Sequence, residues 1–444
     1  MIDAVRKLMT GPGLRAQLLR GGVGSLAVKV IHSLLAFCLA VVLARTLGPE
    51  GYGVYAFALT VLTLLAIPAQ AGLPVLVIRE TARAQGKKNW GLMRGLWRWA
   101  TVWVLLFSVV IMGILGALLF GVTGLAHPRA STLAAGLLLV PLIALANVRS
   151  AALKGLRRVV QGQFPESIFR PALLLLSVFS VMYWTGRPEL LTSSRVIVLY
   201  VGSALAAFLL GAWMLRRNTP TRVKENPLPE YNARAWRRAI LPLALIGGIQ
   251  IINKHMDIVV LSIFTDDVDL GVYRAVSQLS LLVVFGLYAM NQVLQPYIAG
   301  LYEQKEMARL QSMVTTSSRV IFVMALPVVM VFVVFGSEVM TYVFGEQFHL
   351  GAFALAILAC GQLFNSAMGS VEHLLNMSGH EKETMRGMGL SLFVNVSMNF
   401  ILIPKFGIEG AATSTVISLV VWNVYLRKAV RKHTGIETAV FAKC

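Results

Sequence analysis

The sequence predicts an all-α polytopic membrane protein, with about 12 transmembrane helices arranged as two six-helix lobes. Three observations lead to this prediction: the composition, the regular spacing of long apolar stretches, and a short motif that occurs once in each half. Of the 444 residues, 57% are hydrophobic and only 14% are charged, whereas soluble globular domains carry about 25% charged residues. The composition therefore indicates a chain that buries much of its surface in lipid.

The net charge of +20 reflects 40 Lys and Arg residues against 20 Asp and Glu residues. In a soluble protein such an excess would indicate nucleic-acid binding. Here no basic region stands apart from the apolar stretches, so the excess is better explained by Lys and Arg held on the cytoplasmic side of a membrane, next to anionic lipid. We therefore expect membrane lipid, and no nucleic acid, among the partners.

Twelve apolar stretches have the length of about 20 residues that a helix needs to cross the hydrocarbon core. These predicted spans cover residues 22–43, 53–78, 97–120, 131–150, 166–184, 195–215, 239–263, 271–299, 319–336, 348–374, 386–403 and 409–426. The first span contains Lys29 and lacks a small-residue cleavage site, which predicts a retained helix rather than a signal peptide.

The distribution of positive charge orients these spans. If the chain crosses the membrane at every span, 31 of the 40 Lys and Arg residues fall on one side, five on the other, and four within or at the edge of spans. Because Lys and Arg accumulate on the cytoplasmic side, both termini are predicted to be cytoplasmic. The expected location is the cytoplasmic (inner) membrane of a bacterium or an archaeon.

The longest polar connection divides the chain into two sets of six spans. We predict an N-terminal lobe over 1–215, a cytoplasmic linker over 216–238, a C-terminal lobe over 239–430 and a cytoplasmic tail over 431–444. The linker contains three prolines and many charges, and no other region resembles an extramembrane domain.

A short motif supports an internal duplication. Gly53-Val54-Tyr55 recurs as Gly271-Val272-Tyr273, and the same offset of 218 relates Asn147 to Asn365. Since each half has an even number of spans, both halves enter the membrane in the same direction, and the pseudo-twofold axis should lie along the membrane normal. Two facing lobes predict an alternating-access transporter. The glycines between the first two spans, at 48, 51 and 53, predict a tight outer hairpin.

Polar residues within the spans are the candidate site residues. A charge in a span costs about 2.5–3.5 kcal/mol, so it should face protein or water. Helical spacing places three residues on one face of the first span, and a similar set on one face of the seventh. These are Ser25, Lys29 and His32 in the first span, and Gln250, Asn253 or Lys254, and Asp257 in the seventh.

Four of the residues in the spans are predicted to face an anion, because ammonium and guanidinium donors suit phosphate oxygens. They are Lys29, His32, Lys254 and Arg274. The predicted polar lining of a central cavity is Ser25, Gln250, Asn253, Gln278, Gln292, Asn365 and Asn395. Asp257 and Glu372 are predicted to carry a coupling ion or to be structural acids.

Alternatives to these assignments remain open from sequence. Lys254 and Asp257 lie one turn apart and could neutralise each other. Arg274 could instead reach lipid headgroups from the outer end of its span. Glu166 and Arg170, also one turn apart, are predicted to form a structural pair.

No motif for enzymatic chemistry is present in the sequence. It has no phosphate-binding loop, no nucleophile elbow and no metal-ligand spacing, and its three cysteines form no disulfide framework. We therefore predict a protein that is not an enzyme and has no cofactor or metal. Protons, sodium, the membrane potential and a product sink all remain possible energy sources.

Three motifs resemble those of a known family. They are Leu-Ala-Arg-Thr-Leu-Gly-Pro-Glu-Gly-Tyr-Gly at 43–53, Ala-Leu-Lys-Gly-Leu-Arg-Arg at 152–158 and Phe-Gly-Ile-Glu-Gly-Ala-Ala at 406–412. Together they resemble the polysaccharide-biosynthesis (Wzx-type) flippases of the multidrug/oligosaccharidyl-lipid/polysaccharide (MOP) exporter superfamily, over about residues 20–430.

This resemblance implies a V-shaped fold like that of the MATE transporters. It also implies movement of a polyprenyl-pyrophosphate-linked oligosaccharide from the cytoplasmic to the outer leaflet by alternating access, for biosynthesis of a surface polysaccharide such as O-antigen, capsule or exopolysaccharide. Glycosyltransferases or a polymerase of the same pathway are further partners that it implies. The family resemblance leaves the glycan open.

Two other functions are weighed against this one. A MATE-like multidrug or small-cation antiporter would need an acidic cavity with Asp257 and Glu372 essential, and the polar stripes hold more positive than negative groups. A non-transporting membrane partner of a glycan assembly complex would move nothing.

Overall fold

The computed structural model describes residues 14–119, 121, 127–186, 190–225 and 228–440, and in these ranges the regular structure is entirely helical. The predicted all-α class is therefore confirmed. Part of the predicted cytoplasmic tail, residues 441–444, lies outside the described residues, as do residues 1–13 of the predicted N-terminal lobe.

Nine helices lie in the first half of the described chain, between residues 14 and 224. They are α1 Leu14–Gln70, α2 Leu73–Gly86, α3 Trp90–Leu118, α4 Pro128–Ala135, α5 Leu139–Gly155, α6 Val159–Phe164, α7 Arg170–Thr185, α8 Ser193–Asn218 and α9 Thr221–Lys224. A π-helical turn, Pro165–Phe169, joins α6 to α7.

Eight further helices follow within residues 228–440. They are α10 Ala233–Phe264, α11 Asp267–Ser280, α12 Phe285–Glu303, α13 Met307–Val334, α14 Gly336–Phe344, α15 Ala352–Met368, α16 Val371–Met377 and α17 Glu381–Thr434. A 3-10 helix, Glu346–Gly351, connects α14 to α15.

Side-chain caps explain why several of these helices begin where they do. The side chains of Asn89, Thr192 and Asp266 accept hydrogen bonds from backbone N–H groups in the first turns of α3, α8 and α11, at 2.9, 3.4 and 2.9 Å. Such caps satisfy donors that have no partner within the helix. The helix starts are therefore encoded locally.

Eight helices in the described chain are long and apolar enough to cross a membrane, or up to ten if each bent pair counts as one span. Two of the eight, α1 and α17, contain 57 and 54 residues, and each consists of two helices joined at a kink. In α17 these two helices lie side by side, because the Tyr425 hydroxyl donates to the Glu383 carboxylate at 2.7 Å. The count of twelve spans stays a prediction.

Each of these two long helices is interrupted at one glycine. Gly48 in α1 has φ 66° and ψ 176°, and Gly407 in α17 has φ 51° and ψ −125°. These backbone conformations are open to glycine and strained for other residues. The turn predicted at residues 48–53 therefore lies at a single residue, Gly48, where two helices meet.

Several predicted spans differ from the structure; the one at 348–374, for example, is interrupted between Met368 and Val371. The second, 53–78, ends early, because α1 stops at Gln70 and both Ala71 and Gly72 have positive φ. The spans predicted at 131–150 and 271–299 are bent pairs, with angles of 42° and 48°. The second bend falls at 281–284, which contains only Leu and Val, so the sequence offers no local signal for it.

The chain divides into two compact units. The first unit comprises residues up to Leu39 together with Ala58–Gly248, and the second comprises Ala40–Phe57 together with residues from Ile249 onward. Segment Ala40–Phe57, around the Gly48 break, thus groups with the second half of the chain. The lobe boundaries at 215 and 239 stay predictions.

Contacts inside the second unit explain the motif at 43–53. The guanidinium of Arg45 donates hydrogen bonds to the carbonyl oxygens of Val343, at 2.9 Å, and Tyr342. These are carbonyls of the last turn of α14, where a cation is favourable. Arg45 therefore caps this helix end.

The two Gly-Val-Tyr motifs contact each other inside the second unit. A Cβ on Gly53 would collide with the carbonyl oxygen of Asp267 and lie 2.9 Å from the Gly271 nitrogen. A Cβ on Gly271 would collide with the carbonyl oxygen of Pro49 and lie 3.0 Å from the Gly53 nitrogen. The offset of 218 also relates Pro49 to Asp267, so the contacts are reciprocal, as in a twofold interface. The repeated glycines are close-approach residues.

The predicted linker packs against the first unit. The Glu230 backbone N–H donates to the Gly91 carbonyl oxygen at 3.1 Å, and the Asn89 amide donates to the Glu230 carboxylate at 2.9 Å. A Cβ on Gly95 would collide with the Glu230 carbonyl oxygen, so this glycine lets the linker approach α3.

Candidate functional site

In the first unit, the polar face predicted on α1 packs against the turn between α6 and α7. The Ser25 hydroxyl donates to the side-chain oxygen of Gln163 at 3.1 Å. The His32 ring, through Nδ1, donates to the carbonyl oxygen of Ser167 at 2.9 Å. The π-helical turn begins at Pro165, and its widened backbone presents such carbonyl groups. Two of the three predicted residues therefore anchor α1.

Lys29 lies between these two anchors and is exposed. The acid carried by the π-helical turn, Glu166, does not neutralise it, because both Glu166 oxygens are occupied by Arg149 and Arg170. Another cation, Lys154 of α5, lies close enough to Lys29 for the two charges to repel each other.

A buried charged cluster fixes the π-helical turn. The Glu166 carboxylate pairs with Arg149 and with Arg170, each at 3.0 Å. The Arg149 side chain is only 4% exposed and also donates to the carbonyl oxygens of Ala207 and Phe208 at 2.9 and 3.0 Å. The predicted Glu166–Arg170 pair is confirmed, and Arg149 is a third member that the sequence analysis did not predict.

The second unit contains a polar cavity of about 420 Å³. Its walls come from α10, α12, α15, α16, α17 and the break between α15 and α16. The polar lining residues are Gln250, Asn253, Asp257, Tyr288, Asn291, Asn365, Ser370, Glu372, His373, Ser391, Asn395, Thr415, Ser418, Trp422 and Asn423.

The carboxylate of Asp257 is held by four neutral donors. One oxygen accepts from the amides of Asn395 and Asn399 at 3.0 and 2.8 Å. The other oxygen accepts from the hydroxyls of Tyr273 and Thr415 at 2.8 and 2.6 Å. All four donors belong to uncharged side chains, and together they fix both oxygens as acceptors. Asp257 is therefore a preorganised carboxyl group.

Lys254 does not line the cavity, although the helical spacing left it as an alternative to Asn253. Residues 250, 253 and 257 of α10 face the cavity, whereas Lys254 is exposed on another face. Lys254 acts electrostatically on Arg274, and Arg274 contacts the Tyr52 hydroxyl. Among the described residues, Lys254 forms no ion pair with Asp257.

The other predicted lining residues divide into two groups. Gln250, Asn253, Asn365 and Asn395 line the cavity, as do the acids Asp257 and Glu372. Gln278 and Gln292 are not among its lining residues. On α12 the lining residues are Leu287, Tyr288 and Asn291.

The sequence analysis missed a polar face of α17. Thr415, Ser418, Trp422 and Asn423 all line the cavity, at spacings of three to four residues. Helical periodicity would have found this face, because the polar residues of the twelfth predicted span recur once per turn. Asn291 was also missed, since it stands one residue from the predicted Gln292.

The fold is that of a known class of membrane transport protein. An inward-facing multidrug resistance MATE family transporter of the MOP superfamily aligns with a TM-score of 0.73 and 14% identity, covering 93% of this chain and 98% of that structure. The lipid II flippase MurJ, in an inward closed conformation, aligns with a TM-score of 0.72 and 11% identity, covering 92% and 87%. At such identities the likeness shows the fold.

The chain belongs to the polysaccharide biosynthesis protein family, whose sequence profile matches residues 18–302. A Haloferax volcanii protein named "Probable low-salt glycan biosynthesis flippase Agl15" is 25% identical over 386 residues, which cover 86% of this chain and 76% of that protein. A Shigella flexneri protein named as a candidate O-antigen transporter is 23% identical over 421 residues, covering 91% and 95%. The resemblance drawn from the three motifs is confirmed.

Proposed function

We propose that this protein is a flippase that moves a lipid-linked glycan across the membrane. The observation that carries the proposal is membership of the polysaccharide biosynthesis family through residues 18–302. The names of the two relatives, a glycan-biosynthesis flippase and an O-antigen transporter, support it. The chain acts as a non-enzymatic translocator of a surface-polysaccharide precursor.

The proposed substrate is a polyprenyl-pyrophosphate-linked oligosaccharide. Lys29 supports this assignment, because a cation inside a span, with Glu166 already occupied, gains most from an anionic ligand. Lys254 and Arg274 are proposed as further phosphate-facing groups, since neither is neutralised by Asp257. His32 is proposed to hold α1 in place beside Lys29, because its ring already donates to Ser167.

The proposed direction is from the cytoplasmic to the outer leaflet of the cytoplasmic membrane, by alternating access, with both termini cytoplasmic. Asp257 is proposed as the group that takes a coupling proton or sodium ion. Its four donors are all neutral, so the site keeps a net negative charge that a cation can offset. Enzymes that assemble or polymerise the glycan are the proposed protein partners.

One observation favours a second function, a small-cation antiporter. The cavity of the second unit is lined by two carboxylates, Asp257 and Glu372, and its lining contains no Lys or Arg among the described residues. An acidic cavity of this kind suits an organic cation. In this alternative both acids are essential and Lys29 is dispensable.

Reconstitution of the full-length protein in proteoliposomes separates these functions. One set of vesicles carries a fluorescent polyprenyl-pyrophosphate-linked oligosaccharide, whose exposure on the far leaflet is measured by quenching, and a second set is loaded with tetraphenylphosphonium. Translocation of the glycan, without export of the cation, is the expected result. Export of the cation alone would establish the antiporter, and movement of neither compound would favour the non-transporting partner.

A further inference from the structure

The cavity of the second unit contains hydrogen-bonding groups that the protein leaves unused. The Asn253 amide, the Glu372 carboxylate and the Tyr288 hydroxyl line it, and none of the three forms a hydrogen bond within the described part of the chain. The indole N–H of Trp422 is equally unpaired there. These groups are available to a ligand.

The chemistry of the lining indicates which ligand. Amide side chains dominate it: Gln250, Asn253, Asn291, Asn365, Asn395 and Asn423. An amide both donates and accepts, a carboxylate accepts, and a hydroxyl does both. This combination matches the hydroxyl groups of a sugar. The rings of Tyr288 and Trp422 add apolar surface of the kind that the C–H face of a sugar ring can cover.

Charge and size set further limits on the ligand. Asp257 and Glu372 would repel a pyrophosphate, so the phosphate groups of a lipid-linked substrate are excluded from this cavity. The volume of about 420 Å³ falls in the range of about 300–1,000 Å³ that is typical of small-molecule sites.

We propose that this cavity binds one uncharged sugar residue of the lipid-linked glycan. This assignment rests on the proposed function, and it gives the glycan a recognition site that contains no cation. Asn253 and Glu372 bind the sugar hydroxyls, and Trp422 covers the ring.

Saturation-transfer NMR on the full-length protein in lipid nanodiscs tests the assignment. The probes are the methyl glycosides of glucose, galactose and mannose, and N-acetylglucosamine, each at millimolar concentration. We expect saturation transfer to at least one probe, and a fall of at least fivefold in both the Asn253→Ala and the Trp422→Leu variants. The matched control Gln304→Ala removes an exposed amide at the end of α12 and should leave the signal unchanged.

Two results would overturn the sugar site. One is the absence of saturation transfer to all four sugars in a preparation that translocates lipid-linked glycan. The other is an equal signal in the wild-type protein and both variants. Failure of the proposed function gives a different result: sugar binding that depends on Asn253, in a protein that moves no lipid-linked glycan.

A separate observation concerns residues 435–440, which pack back onto the second unit instead of leaving it. Gly435, with φ 71°, ends α17, and the Ile436 side chain is 2% exposed in the core formed by α12, α13, α16 and α17. Gln311 of α13 binds both the backbone N–H and the carbonyl oxygen of Glu437, at 2.9 and 2.7 Å. The Glu437 carboxylate pairs with Arg427 and Arg431.

The same segment reaches the break between α15 and α16. The Val440 N–H donates to the Ala367 carbonyl oxygen at 3.0 Å, and Ser318 donates to the Thr438 carbonyl oxygen at 2.9 Å. A Cβ on Gly369, which has φ 71°, would collide with the Ser318 hydroxyl and lie 3.1 Å from the Thr438 carbonyl oxygen. Gly369 and the next residue line the cavity.

We infer that residues 435–440 form a strap that positions the Gly369 break, and with it one wall of the cavity. Gln311 is its main attachment, because one side chain satisfies both backbone groups of Glu437. Loss of this attachment should therefore loosen both the strap and the break.

Hydrogen exchange of the full-length protein tests the strap. In Gln311→Ala the amides of Glu437 and Val440 should exchange at least tenfold faster, and so should those of Gly369 and Val371. The control Ser312→Ala, at the neighbouring exposed position of α13, should change neither set. Faster exchange at 437–440 with unchanged exchange at 369–371 would show that the segment does not position the break, and would overturn the inference.

Discussion

The polar regions of the two units differ in the sign of their charge. In the first unit, Lys29 is exposed beside a turn whose acid, Glu166, is occupied by two arginines. In the second unit, the cavity is lined by two carboxylates and six amides, with no Lys or Arg in the described lining. The first region suits an anion, and the second suits a cation or an uncharged polar ligand.

This difference contrasts with what the two halves share. Gly53 and Gly271 belong to the same short motif and make reciprocal contacts. The shared motif does not extend to the polar regions, which differ in charge and in residue type.

The largest expected effect is on the charged cluster of the first unit. Glu166→Gln leaves Arg149 and Arg170 without their counter-ion, and removal of one partner from a buried pair costs about 3–5 kcal/mol. The free energy of unfolding, measured by denaturant titration in detergent, should fall by that amount. The control Glu225→Gln, at an exposed turn, should change it by less than about 0.5 kcal/mol. An unchanged stability of Glu166→Gln would mean that the two arginines are available to an anion.

The next effect concerns the second unit. Thr415→Val removes the donor that lies 2.6 Å from Asp257, and a hydrogen bond to a charged group contributes about 1.5–3 kcal/mol. The unfolding free energy should fall within this range. Thr413→Val, two residues away on the same helix, makes the same change of chemistry where the described structure shows no such bond. Equal effects of the two variants would contradict the assigned geometry of Asp257.

A smaller effect is expected where the two Gly-Val-Tyr motifs contact each other. Gly53→Ala places a methyl group against the Asp267 carbonyl, and overpacking of this kind costs about 1–3 kcal/mol. Gly113→Ala on α3 is the matched control, because its Cβ would meet nothing within 4 Å. The control should be neutral or stabilising by up to about 1 kcal/mol. A neutral Gly53→Ala would remove the evidence of close approach between the repeated motifs.

The sequence predicted the helical class and the family, because composition reports lipid exposure and the three motifs carry the family resemblance. The assignment of particular residues to a substrate site stays a prediction. The sequence could not predict the bend at 281–284, where four apolar residues carry no break signal. Periodicity also could not choose between Asn253 and Lys254, since adjacent residues differ by only about 100° around a helix.

Contacts between residues that lie far apart in the sequence could not be predicted either. The pairing of Arg149 with Glu166 depends on a π-helical turn and on space at Gly211, where a Cβ would collide with the guanidinium. The packing of residues 435–440 depends on Gln311, which is more than 120 positions away. Neither contact has a local signature in the sequence.

The charge of Lys29 is the most direct test of the central claim that the first unit offers a cation to the phosphate of a lipid-linked glycan. Translocation of the fluorescent glycan should be measured in proteoliposomes for Lys29→Ala, Lys29→Arg and the exposed control Lys87→Ala. We predict at least a tenfold loss in Lys29→Ala, at least half of the wild-type rate in Lys29→Arg, and an unchanged rate in the control. A wild-type rate in Lys29→Ala, with the protein folded and present at equal amounts, would contradict the account.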